Sequence, residues 1–198
     1  MTRKALKSAF ARRFARAKRG AVAVEFAFVA IPFLLLLFGI VELALVFTAT
    51  TTLEQATESA ARRMRTGEFQ TSTAGNKQAF RESICARMSW LSSQCSTDLY
   101  IDVRTFSSFG TVSTTPLYDP NLFATHQTCW AASQATDIVL VRAYLEWRLL
   151  TPLMNAALVN MGAGSGKRML TAAAAFRNEP YNNSTPLGAS CTLGGQNG

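Results

Sequence analysis

The chain is nearly empty of the side chains on which enzymes most often rely. Its 198 residues include one histidine, His126. No serine or cysteine nucleophile motif lies near it, so it reads as a loop histidine rather than a catalytic base. The four cysteines, Cys85, Cys95, Cys129 and Cys191, form no Cys-x-x-Cys pair. Although His126 lies three residues from Cys129, a zinc site needs a closely spaced ligand set that is missing here. The run Gly162-Ala-Gly-Ser-Gly-Lys-Arg168 resembles a phosphate loop only in part. Met161 stands where the motif needs glycine, and Arg168 where it needs serine or threonine. A flexible hairpin loop accounts for it better. The expectation is a protein without catalytic residues, metal or cofactor, and so not an enzyme.

Acidic residues are also scarce at one end. None precedes Glu25, whereas residues 1–20 hold Arg3, Lys4, Lys7, Arg12, Arg13, Arg16, Lys18 and Arg19. Removing those eight from the 20 basic residues leaves twelve, which balance the 12 acids, so the net charge of +8 belongs wholly to the N-terminal arm. No charged residue occurs from Phe26 to Val41, and the apolar pattern continues past Glu42 through Phe47. Residues 21–48 as a helix measure roughly 42 Å, enough to cross a hydrocarbon core of about 30 Å. A basic arm before an apolar segment keeps the N-terminus cytoplasmic and sends the remainder across the membrane in a single pass. Pro32 is expected to kink the helix. The arm is not read as a nucleic-acid site, because no recognition motif accompanies it and a spanning helix follows at once.

Glu25 lies inside this apolar run, where a charge is costly unless it stays near the interface. Position alone explains Glu25 and Glu42 as wet acids at the two ends of the span. A second reading joins Glu25 to Gly20. A cut of the Gly20–Ala21 bond creates an α-amino group at Ala21, four residues before Glu25, and that amine can pair with a carboxylate on a neighbouring copy.

The ordered string Arg19-Gly-Ala-Val-Ala-Val-Glu-Phe-Ala-Phe-Val-Ala-Ile-Pro-Phe-Leu-Leu-Leu-Leu-Phe-Gly-Ile-Val-Glu42 resembles the TadE-like pseudopilins of the tight-adherence (Tad/Flp) pilus system. The resemblance is sharp over residues 18–65 and weak afterwards. It implies a basic prepilin leader over 1–20, a prepilin-peptidase cut between Gly20 and Ala21, and Glu25 as the assembly carboxylate. It also implies prepilin peptidase, other pseudopilins and Tad pilus assembly proteins as partners, and a pilin-like α+β fold.

Beyond the transmembrane helix at 21–48, Val46, Thr50, Leu53, Thr57, Ala60 and Met64 form a helical stripe, extending the helix over 49–65. The stripe is read as packing against the following domain, residues 66–198. Glu58 and Arg62 are spaced as a supporting pair. After a polar connection at 66–76, a second helix is expected over Lys77–Leu91, with Phe80, Ile84, Met88 and Leu91 on one face. Alternation marks strands at Leu99–Phe106 and Asp137–Leu150. Arg168–Arg177 is read as a third strand because a turn follows it, and because the family resemblance places a final strand there. Ser107–Thr136 is a long polar stretch suited to subunit-specific contacts, and Tyr181–Gly198 is a polar tail. The cysteines all follow the apolar segment, and an even number on the exported side argues for two disulfides. Sequence proximity favours Cys85–Cys95, leaving Cys129–Cys191, worth about 3 and about 4 kcal/mol in the loop-entropy account.

Two functions of different class follow. One is a pseudopilin acting in assembly or priming of a Tad pilus. The other is an uncleaved signal-anchor protein whose periplasmic domain binds a ligand or partner.

Overall fold

The computed structural model describes residues 18–69, 76–112, 128–131, 133–151, 155–162 and 164–181. The leader up to residue 17, His126, Cys191 and the tail beyond Tyr181 lie outside the described residues. The chain divides into two compact units, Met1–Leu43 and Ala44–Gly198.

The first helix, α1, runs from Lys18 to Arg65 and continues through Pro32. It begins before Ala21, so the Gly20–Ala21 junction lies inside helical backbone. Over the first unit its large apolar side chains are exposed. Gly39 and Glu42 are buried, and Gly20 and Ala30 are half-buried. Glu42 is only 1% exposed, contrary to the expectation of a wet interfacial acid, and it is not without a partner.

In the second unit α1 is one-sided. Val46, Ala49, Leu53, Ala56, Ala60 and Met64 are buried in a single core cluster with the residues of the following domain. The stripe therefore packs on the domain, as expected. Its alanines keep the helix surface low enough for the sheet's branched side chains to meet it. Thr57, also buried, has a hydroxyl without a hydrogen-bond partner. Glu58 and Arg62 form no ion pair; Arg63 instead reaches Glu68 at 3.0 Å and Arg65 reaches Glu179 at 3.4 Å.

Helix α2 spans Lys77–Cys85, capped by Asn76, whose Oδ1 accepts the Ala79 N–H at 2.9 Å. The single helix expected over 77–91 is broken. Turns at Ala86 and Arg87 lead to a 3-10 turn at Ser89–Leu91 that opens with Ser89 at φ +45, then helix α3 at Ser92–Asp98. The disulfide Cys85–Cys95, with a Cα separation of 5.5 Å, joins α2 to α3, so the chain has to fold back within ten residues. Ser92-Ser-Gln forms the first turn of α3. Phe80, Ile84, Met88 and Leu91 are nonetheless all buried. Periodicity identified the inward residues but not the break.

Strands β1 (Leu99–Phe106), β2 (Ile138–Arg148) and β3 (Lys167–Arg177) form an antiparallel sheet in the order β1-β2-β3. The rows Leu99–Leu145–Leu170, Ile101–Ala143–Ala172 and Val103–Val141–Ala174 face the helices. The fold is thus α+β, with the three strands anticipated. On the other face of β2, Arg142 and Tyr144 are also buried. So is Asp102, which accepts the Cys129 N–H at 2.9 Å and an Arg104 Nε–H bond at 3.1 Å. Residues 129–131 run parallel to β1 through the bridge Val103–Trp130. Part of the stretch read as irregular therefore belongs to the sheet. Trp130 closes an aromatic cluster with Phe69 and Phe80, at ring distances of 6.2 and 5.6 Å. The segment after β2 contains a short helix, α4 (Asn155–Leu158).

Helix α1 ends on Gly67, at φ +76, whose N–H donates to the Met64 carbonyl. The Tyr181 ring lies against it, and a Cβ at this position would come within 2.4 Å of that ring. Substitution Gly67→Ala should therefore destabilise the domain by about 1–3 kcal/mol, through strained backbone and displacement of Tyr181. Urea unfolding in detergent checks this, and an unchanged midpoint would contradict the packing described.

Candidate assembly helix and processing junction

The residues that sequence reasoning selected for processing and assembly all lie at the start of α1. Gly20 and Ala21 are adjacent in helical backbone, and Glu25 follows Ala21 by four residues, one turn on and on the same side of the helix. The Glu25 side chain is exposed among exposed apolar neighbours, with Val24 at 55% and Phe26 at 73%. A carboxylate displayed on an apolar sleeve has little to gain from hydrocarbon and much from a positive group. At about 4 Å and an effective dielectric near 20, a unit charge pair is worth about 4 kcal/mol before desolvation.

The opposite end of the apolar sleeve carries threonines rather than charges. Thr48, Thr50, Thr51 and Thr52 donate their hydroxyls to backbone carbonyls three or four residues earlier, at 2.7–3.0 Å. Each hydroxyl is satisfied within the helix, so the segment can leave an apolar medium without unpaired polar atoms. From Val22 onward this is one helix long and apolar enough to cross a membrane.

The cysteines lie elsewhere, in the second unit. Cys85 and Cys95 are buried and bonded to one another, and Cys129 is also disulfide-bonded. The described residues contain no group of three or more His, Cys, Asp or Glu able to hold a metal ion.

Residues 20–62 match the family model described as TadE-like protein. Over that stretch the chain is TadE-like. The match opens on Gly20, takes in Ala21 and Glu25, and ends within α1. The disulfides and the sheet fall outside the matched segment. No curated protein and no solved structure matches the chain.

Three features of the chain were missed from sequence. The burial of Glu42 and of Asp102 carries no local pattern that distinguishes either from a surface acid. The third is the small-residue run Ala172–Ala175, which marks a sheet edge and becomes informative only once the strand order is known.

A Cβ built on Gly20 meets nothing within 4 Å. Gly20→Ala should therefore leave thermal unfolding of the domain unchanged while blocking removal of the leader, as seen by a size shift on a gel. Loss of stability, or trimming at the wild-type rate, would contradict the assignment.

Proposed function

We propose that the chain is a minor pseudopilin, a structural rather than catalytic subunit that acts in assembly or priming of a Tad pilus. The observation that carries this is the placement of Gly20, Ala21 and Glu25 at the head of an exposed apolar helix, within the TadE-like segment. In this reading prepilin peptidase removes residues 1–20. The chain remains in the inner membrane by its apolar helix, with the disulfide-bonded domain in the periplasm.

The mechanism is one of packing. Cutting after Gly20 exposes an amine on Ala21, one helical turn before Glu25. A neighbouring helix displaced axially by about 6 Å, four residues at 1.5 Å each, would bring its amine level with this carboxylate. The ion pair gains in a low-dielectric setting, so it fixes axial register between helices that apolar packing alone would let slide. Other pseudopilins and Tad assembly proteins are the partners this arrangement serves.

Glu25→Gln keeps size and hydrogen-bonding capacity but removes the charge. It should permit normal leader removal and membrane insertion, while reducing recovery of the chain in cross-linked pseudopilin complexes by about tenfold, equivalent to about 1.4 kcal/mol. Unchanged cross-linking of Glu25→Gln, with loss instead on altering residues 107–136, would favour the signal-anchor reading.

A further inference from the structure

Strand β3 is an edge strand, and hydrogen-bond parity shows which of its backbone groups face outward. In its pairing with β2, Asn178 N–H donates to the Asp137 carbonyl and Leu149 N–H to the Gly166 carbonyl. Even-numbered residues of β3 are therefore those bonded to β2, and odd-numbered residues direct their N–H and C=O away from it. Met169 confirms this. Its N–H and C=O are both taken by the side-chain amide of Asn160, at 2.7 and 3.2 Å, as a paired strand would take them. The next three odd residues, Thr171, Ala173 and Ala175, have no such partner among the described residues, and all three are exposed.

Exposed edges are usually guarded by lysine, proline or a bulge. Here Thr171-Ala-Ala-Ala-Ala175 carries no charge and no proline, and its register against β2 is uninterrupted. The edge opens onto a groove of about 1010 Å³ whose other wall is α1. Glu54 and Glu58 stand on that wall, one turn apart, and neither is in an ion pair among the described residues. Arg62 follows, likewise in no ion pair among them, while Arg65 is held by Glu179. The Glu179 N–H donates to the Arg65 carbonyl, so the basic end of the wall lies beside the end of β3 and the acidic end beside its start.

We propose that this edge accepts an extended strand from a different polypeptide, running antiparallel to β3. The incoming strand is acidic where it enters near Arg62, small or β-branched along Ala175–Thr171, and basic where it passes Glu54 and Glu58. About five residues, rising 3.3 Å each, cover the open edge. The backbone supplies the affinity and the two charged ends fix direction, the pattern of strand addition. A second copy of this chain does not fit, because β3 carries Lys167 and Arg168 at its start, Arg177 at its end and no acid that could enter near Arg62. None of the inference depends on the cut at Gly20.

The test uses the full chain in detergent and the peptide Ac-Asp-Thr-Val-Thr-Val-Thr-Lys-NH2. Its addition should slow amide exchange at Thr171, Ala173 and Ala175 by about tenfold or more, and the charge-swapped isomer should bind about tenfold more weakly. Ala173→Pro removes an outward N–H that no ladder bond uses, and should abolish the protection. Glu54→Lys combined with Glu58→Lys leaves the strand untouched, and should reverse the preference between the two peptides. Unchanged exchange at the three amides, or equal binding of both peptides by all variants, would overturn the proposal. Protection of the same amides by self-association without peptide would overturn the choice of occupant.

Discussion

Packing of Leu53, Ala56, Ala60 and Met64 against the inner face of the sheet is the contact on which the described domain depends. Those side chains share one core with Ile101, Val141, Ala143 and Leu170. Each fully buried large side chain contributes about 1.5–3 kcal/mol, and among the described residues no other helix of the unit is longer than nine residues. Helices α2 and α3 are too short to hold themselves together and rely on the Cys85–Cys95 link and on the core beneath them. The same α-helix that offers this stripe presents exposed apolar side chains over its first unit, with Glu25 among them. Its composition therefore changes along one continuous backbone, from a segment apolar enough to cross a membrane to a stripe buried in a protein core.

What could be read from sequence followed from periodic burial. The apolar run to Phe47, the stripe through Met64 and the alternation in β1 and β2 each mark a surface that has to be removed from water. Those elements appear where expected. Arg168–Arg177 has helical propensity, yet it forms β3 because a completed sheet face outweighs the modest preference of its alanines. What could not be read depended on contacts distant in sequence. The break after Cys85 follows from a disulfide geometry that no local pattern expresses. The burial of Asp102 follows from Cys129 N–H and Arg104, which approach it only when residues 129–131 lie alongside β1. Trp130 gave no signal within a polar stretch, although it completes the cluster with Phe69 and Phe80.

The candidate site was legible for a different reason. Gly20, Ala21 and Glu25 lie within six consecutive residues, so their relation needs only helical geometry and not the fold. Their meaning is chemical: a carboxylate one turn from a bond whose cleavage would release an amine. The second unit adds a separate capacity, an open backbone edge flanked by charged residues of α1. Each offers a different kind of contact, one between helices in an apolar medium and the other between strands in water.

The intact mass and N-terminal sequence of the protein purified from membranes of cells with active prepilin peptidase test the central claim most directly. The account predicts a chain that begins Ala-Val-Ala-Val-Glu, shorter by the residues up to Gly20. Recovery of the full-length chain with its basic arm in place would contradict it, and would leave Glu25 without the amine that gives it a role.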